Sequence, residues 1–521
     1  MFLEIYLSIK PYIGWLAIIS FATYLTGLSI YRLYFHPLSK FPGPKIAAIT
    51  QWYEVYFDVY LRGQYQFHIR ELHKQYGPIL RISPFEIHIN DSAFIDELYA
   101  GGGKKRDRWT YVQRAAGFPE SSASSGPHEL HRMRRAAVAP FFSKQSARNL
   151  QPVVDGKIDK ILDRLRKMRG NYEVFRVEHM CSAYNVVMEY SFGRSEDRLS
   201  KPDFDPGYHE AIAAGLPVNF IIRHFYMFLK PVLDLPEWIT QHIPMLRIFT
   251  REKRVLGAQV QSILDETNTA HTGVSHPTIF HEILSSKLPP HEKTLSRLTQ
   301  EAQVIVAAGT VTVAWSIAFC MFHLLTTPAL LRRLKDELRE AIPDPSIPPR
   351  LVQIENLPFL KALIQETLRL SYGATHRLAR IAQEEDLVYK SPFSSDTWTI
   401  PRGTPVSMSA LLLHHNEEIF PDSFTFNPSR WLEDGDRLDQ YFVPFSKGSR
   451  ICVGINLAYG ELFLFLARVF RVYGSVDVRD DGDEGIFELF ETTYRDIETV
   501  ADHMLPGQRS DSLGVRVMVK E

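Results

Sequence analysis

Cysteine is nearly missing from this chain, with 3 among 521 residues. That excludes a disulfide-stapled secreted scaffold and points to a reducing compartment. A charge excess is missing too. The 59 Lys and Arg stand against 60 Asp and Glu, so the chain has no general attraction for nucleic acid. No internal repeat and no long low-complexity tract interrupts it, which sets aside repeat arrays and disordered linkers. Length alone allows two or three domains, or one large one.

What the chain does have is one cysteine in an unusual setting, Phe445-Ser446-Lys447-Gly448-Ser449-Arg450-Ile451-Cys452-Val453-Gly454. Gly448 permits a tight turn, and Gly454 lets the backbone approach a flat partner. Apolar residues at helical spacing follow (Leu457, Leu462, Leu464, Leu466, Val469, Phe470), so Cys452 stands just before a helix N-terminus. Backbone N–H groups and the helix dipole there favour a thiolate, which can ligate haem iron. Arg450 can donate a forked hydrogen bond to a carboxylate, and Phe445 can pack beside the sulfur. Cys181 and Cys320 read as inert buried thiols.

The pattern F-x-x-G-x-R-x-C-x-G resembles that of the cytochrome P-450 superfamily, and the likeness runs from about Phe41 to the C-terminus. It implies a mainly α fold with minor β, one haem, and Cys452 as the axial iron ligand. It also implies haem contacts from Phe445, Gly448, Arg450 and Gly454.

Residues 11–31 carry no charge, between Lys10 and Arg32. Twenty-one helical residues span about 31 Å, which matches a hydrocarbon core of roughly 30 Å. This predicts one N-terminal transmembrane helix. Arg32, Lys40 and Lys45 after the span predict a cytosolic bulk. The division expected is an anchor over residues 1–35 and a haem-thiolate catalytic domain over residues 36–521. Phe41-Pro42-Gly43-Pro44 resembles the proline-rich hinge of microsomal members, which implies the endoplasmic reticulum membrane.

Residues 51–75 read as helical, and residues 79–90 as a β-hairpin. Lys104-Lys105-Arg106 reads as a solvated loop. By resemblance, residues 101–126 cover the distal side of haem, with Trp109, Tyr111 and Phe118 as lining. The helix opening at His131 matches the family's W-x-x-x-R with His131 and Arg135, which implies that both reach a haem propionate. Arg132 and Arg134 read as a basic docking face. The apolar cluster Leu216, Pro217, Val218, Phe220, Ile221, Phe225, Tyr226 and Phe228 fits channel lining, bilayer contact or ordinary core packing.

Residues 295–325 read as one long apolar helix. Its centre, Ala307-Ala308-Gly309-Thr310-Val311-Thr312-Val313, resembles the family's A-G-x-D/E-T-T. A lone Thr in such a helix is ordinarily bonded back to the preceding turn. The resemblance gives Thr312 the further role of handing protons to oxygen, and Val311 stands where relatives keep an acid. Glu366 and Arg369 share a helix face and match E-x-x-R. With Arg430 of Pro428-Ser429-Arg430-Trp431, the likeness implies a buried structural triad. Arg380 matches the propionate-binding Arg, with Arg377 as runner-up, and Gly373, Ala374 and Thr375 would face substrate. His415 has no metal-ligand partner at suitable spacing. Residues 398–406 look like a strand pair, and residues 514–519 close a small sheet.

The resemblance therefore implies a monooxygenase. It would take electrons from an NADPH-cytochrome reductase and insert one oxygen into an apolar small molecule. Residues 368–377 resemble fungal secondary-metabolism members, including trichodiene oxygenase-like enzymes, which turns the expected substrate toward a terpenoid or related scaffold. Two other readings stand beside it: a haem-thiolate isomerase or dehydratase needing no reductase, and a non-catalytic haem-binding membrane protein.

Overall fold

The structure, a computed structural model, describes residues 2–114, 117–194, 197–233, 235–392 and 395–521. Its centre is the helix Leu295–Thr326. Thr294 caps the N-terminus through its hydroxyl, and Pro328 opens the next helix, Pro328–Ala341. Leu295–Thr326 packs against Val177–Tyr184 and Pro244–Leu264, and more lightly against Pro358–Ser371 and Ile455–Val472. A helix apolar on every side must be enclosed, and 72% of its most apolar stretch is buried.

Composition alone does not separate that helix from the other long apolar one. Gly14–Phe35 is also long and apolar enough to cross a membrane, but none of its most apolar stretch is buried. It belongs to the helix Phe2–Ile30, which continues as a π-helical turn over Tyr31–Phe35. The turn is tied to the rest of the chain: Arg81 Nη1 donates to the Arg32 carbonyl at 2.8 Å. Leu38 and Phe41 are already in the core.

The strands fall to the side of the helices. A five-stranded sheet runs Ile79–Arg81, Ile87–Ile89, Pro405–Ser407, Arg380–Ile381, Asp107–Arg108. The first two form the expected hairpin, with Ile79 opposite Ile89. A four-stranded sheet runs Val174–Arg176, Arg516–Lys520, Gly485–Leu489, Tyr473–Ser475.

Two local expectations are qualified by the structure. Residues 51–75 are helical with one break: Trp52–Val55 runs into a π-turn at Tyr56–Tyr60, and Tyr65–Tyr76 follows after a turn. Residues 398–406 are not a strand pair. Thr397–Ile400 pairs with Leu387–Lys390, whereas Pro405–Ser407 joins the five-stranded sheet between two other strands. Both segments alternate as strands, but pairing is settled by long-range partners that local pattern does not name.

Candidate active site

Gly448 sits at φ 71°, and a Cβ there would collide with the carbonyls of Tyr99 and Ala100. Only glycine fits, and the turn it makes sends the chain through a 3-10 turn, Gly448–Arg450, toward the helix Ile455–Val472. Cys452 lies between these two elements, its N–H donating to the Phe445 carbonyl at 2.9 Å. A Cβ on Gly454 would point toward open space, 3.9 Å from the sulfur.

That space is a cleft of about 710 Å³, part of it open to solvent. One wall is Phe445, Cys452, Gly454, Leu457 and Ala458; the facing wall is Ile305, Ala308, Gly309 and Thr312 of the long helix. The Thr312 hydroxyl donates to the Ala308 carbonyl at 2.8 Å, the ordinary back-bond, and the residue lines the cleft. Val311 is buried and is not among the cleft-lining residues.

Cys452 lines the cleft and is exposed there. Burial by the surrounding protein pushes its thiol pKa up, and the Gly454 N–H and Arg135 pull it down without cancelling that. The expectation of a thiolate from the helix terminus alone is therefore corrected. Desolvation outweighs the dipole in the bare protein, and a metal cation at the sulfur would favour the thiolate.

A second group of residues gathers beside the cleft. Arg108 and Arg380 are opposite each other in the five-stranded sheet; Arg380 is buried and Arg108 half-buried. Burial lowers the pKa of Arg108 to about 10, with Arg380 adding to the effect. Burial, then Arg380 and Arg108, lowers Arg450 to about 9, while Asp107 pulls it part of the way back. His131 is held at about 3, by burial and by Arg450, Arg135, Arg108 and Arg380. Four guanidiniums and one carboxylate leave this part-buried group with excess positive charge, which a bound anion would balance. Arg450 Nε, Nη1 and Nη2 donate one hydrogen bond each, to the carbonyls of Arg106, Ser125 and Gly126 at 3.1, 2.7 and 2.7 Å. Arg135 Nη1 donates to the Ile451 carbonyl at 2.6 Å, beside Cys452 rather than at the sheet.

Behind the cleft, Glu366 accepts from Arg369 Nε and Nη2 at 2.9 and 2.8 Å, from Arg430 Nε at 3.2 Å and from Trp431 Nε1 at 2.9 Å. Arg369 also donates to the carbonyls of His414 and Ser423. Glu366, Arg369 and Arg430 thus meet as one buried group.

Several residues lie elsewhere than expected. Arg134 is not on a docking face: it is buried and paired with Glu292, at 2.7 and 2.9 Å. Arg106 is not solvated but buried against Glu97 and Glu385. Arg377 points away from the cleft, into a cluster with Glu54 and Glu86. Thr375 donates to Asp502 at 2.8 Å and does not line the cleft. Trp109, Tyr111 and Phe118 do not line it either; Tyr111 bonds His224 at 2.7 Å. His415 bonds the Tyr372 hydroxyl and Ser423. Glu54, Asp58 and His224 lie close enough together to hold a metal ion, but the Arg223 guanidinium occupies that position.

Sequence reasoning missed Arg108 and Glu461. Arg108 follows a basic run that looks solvated, and only the strand pairing with Arg380 gives it away. Glu461 lines the cleft from the helix that follows Cys452, nine positions on, where its neighbours look like ordinary core.

The fold and this cleft define a haem-thiolate class of protein, and comparison with known families agrees. The cytochrome P-450 family model matches residues 45–490, and the chain belongs to that family. It is 44% identical over 500 residues to the cytochrome P-450 monooxygenase tpcC of Cochliobolus heterostrophus, covering 95% of each chain. It is 45% identical over 499 residues to the cytochrome P-450 monooxygenase astB of Talaromyces wortmannii, covering 94% of this chain and 95% of that one. The tryptophan 6-hydroxylase fscE of Fusarium equiseti is 38% identical, covering 95% and 94%. The protein is accordingly an oxidoreductase of the monooxygenase class with haem iron as its cofactor. The open cleft, the sulfur and the unbalanced cations fit that group.

Proposed function

We propose that Cys452 holds the haem iron and that Arg108, Arg380, Arg450 and His131 receive its propionates, with Arg135 steadying the cysteine loop. When bound, haem supplies dioxygen activation, so that one oxygen atom enters a substrate C–H bond and the other leaves as water. Thr312 passes protons into the cleft. Glu366, Arg369 and Arg430 fix the scaffold behind it. What supports the reading is that Cys452 and Thr312 line opposite walls of one cleft while the cations collect beside it.

The electrons come from an NADPH-cytochrome reductase. The N-terminal helix anchors the protein in the endoplasmic reticulum membrane with residues 36–521 as the cytosolic catalytic domain. The substrate is an apolar small molecule, a terpenoid or related secondary metabolite. The apolar walls Val138, Phe142, Val304, Ile305 and Val313 support an apolar guest, and the hydroxylase among the relatives adds an aromatic ring as the competing class.

Cys452→Ser tests the ligand: the family's Soret band in the reduced carbon monoxide complex should vanish, and an unchanged band would reassign it. A metabolite comparison with a deletion strain identifies the substrate. Product formed without NADPH or oxygen would transfer the protein to the isomerase or dehydratase class.

A further inference from the structure

A second cavity, of about 1080 Å³ and partly open to solvent, shares no lining residue with the cleft. Phe319 and His323, on the long helix beyond Thr312, form part of its wall. The helix Tyr65–Tyr76, the end of the helix Pro358–Ser371 and the loop before Ala501 supply much of the rest.

Three polar atoms of lining residues are buried without a hydrogen-bond partner: Arg70 Nε, His323 Nε2 and Thr499 Oγ1. Buried groups of this kind are nearly always bonded, so each needs an explanation. Arg70 lies 3.4 Å from Glu71, but Lys74 already holds that carboxylate at 2.8 and 3.0 Å. Glu498, the one acid in the lining, lies 3.8 Å from Arg509. Burial holds His323 at about 4, with Glu366 pulling it upward. It is neutral at pH 7, so Arg70 is the fixed positive charge in the wall.

The other polar groups of that wall are spoken for. Ser423 Oγ donates to Glu417 at 2.6 Å, so it accepts from His415 Nδ1 at 2.9 Å. His415 Nε2 then accepts from the Tyr372 hydroxyl at 2.6 Å. Tyr372 closes the helix Pro358–Ser371 at φ 61°, a left-handed position that suits glycine better. A tyrosine at this position puts a phenol in the cavity wall. The Arg70 charge is felt there: burial raises the Tyr372 pKa, and Arg369 and Arg70 draw it down. What stays open is three groups that can all donate, between the aromatic faces of Phe67, Phe319 and Phe424.

We propose that this cavity is a second small-molecule site, separate from the haem cleft, and that it takes an aromatic carboxylate. The carboxylate accepts from Arg70, whose planar guanidinium matches such a group, and Thr499 and His323 are the further donors. The ring lies among Phe67, Phe319 and Phe424. An apolar guest would leave the three donors unpaired, and a cation would be repelled by Arg70. The inference goes beyond the haem chemistry and does not rest on the roles of Cys452 or Thr312.

The probe is naphthoate, in equilibrium dialysis against full-length holoenzyme whose cleft is filled with phenylimidazole; the Soret band reports that filling. Naphthoate should still bind at a single site, with the Soret band unmoved. Arg70→Gln should weaken this binding about tenfold, and naphthamide, which has the shape without the charge, should bind the parent protein as weakly. Thr499→Val keeps the volume and should weaken naphthoate about threefold. No binding once the cleft is filled overturns the inference and leaves the cavity to water. So does naphthamide bound as tightly as naphthoate. So does naphthoate binding unchanged in Arg70→Gln or, should that variant fail to fold, unchanged in Thr499→Val.

Discussion

Arg223 Nη2 lies 2.7 Å from Glu54 Oε1, and Arg377 Nη2 lies 2.5 Å from the same oxygen. One carboxylate thereby joins the helix Val218–Leu233, the helix Trp52–Val55 and the segment before Arg380. All three side chains are fully buried. Glu54→Gln removes the carboxylate the two guanidiniums share and leaves Arg223 only Asp58 and Arg377 only Glu86, and the loss should be about 3–5 kcal/mol in urea unfolding. A loss under about 1 kcal/mol would show the group to be solvated in practice.

The same residue sets an acid limit. Burial raises the Glu54 pKa, but Arg377, Arg223 and His224 outweigh it and hold it at about 2, below the ordinary 4.5. A depressed carboxylate contributes stability above its unfolded pKa and loses it as pH falls through the folded one. The parent protein should therefore lose stability between pH 4.5 and about 2 that Glu54→Gln does not lose. Parallel unfolding curves across that range would contradict the assignment.

In haem-free protein the Cys452 thiol should stay protonated at neutral pH, because burial raises its pKa above the ordinary 9.0. Alkylation by iodoacetamide should be slow at pH 7 and accelerate only above the usual thiol range. Cys181 and Cys320 are buried and should not contribute, which Cys452→Ser would verify by abolishing the reaction. Fast labelling at pH 7 would mean that the helix terminus wins after all.

Removal of the N-terminal apolar helix should be made before Arg32 rather than at Phe41. Cutting at Phe41 deletes Leu38, which is 2% exposed, and the Arg32 carbonyl that Arg81 binds. A chain starting at Tyr31 should incorporate haem and unfold as the full chain does, whereas one starting at Phe41 should be less stable by about 2–5 kcal/mol. Phe228, Met227 and Trp238 are exposed, and an apolar patch of that kind binds bilayers. Residual vesicle binding of the shortened protein, unaffected by salt, should fall in Phe228→Ser.

Arg132 and Arg134 should separate cleanly. Arg132 is exposed and makes only a 3.6 Å contact with Glu129, so Arg132→Glu should raise the reductase concentration needed for half-maximal turnover and leave stability within about 0.5 kcal/mol. Arg134→Glu places a carboxylate against buried Glu292 and should cost about 3–5 kcal/mol. Equal effects of the two on reductase binding, with no loss of stability, would put Arg134 on the surface.

The amino-acid sequence by itself determined the class of the protein. The cysteine loop, the long helix with Thr312, the E-x-x-R pair and the uncharged N-terminal run are local patterns. Their meaning lies in spacing along one strand or helix, which the chain carries wherever it folds. It also located the hairpin at residues 79–90 and the meeting of Glu366, Arg369 and Arg430. Only the tertiary structure decided which of many arginines face one another. Arg108 joined Arg380 through sheet pairing, Arg134 and Arg106 turned inward to carboxylates far away in sequence, and Arg377 left the cleft for Glu54. It also reversed the expected thiolate, since desolvation depends on everything packed around a sulfur while a helix dipole can be read from one segment. Charge burial arises from contacts among distant segments, and no periodicity encodes it.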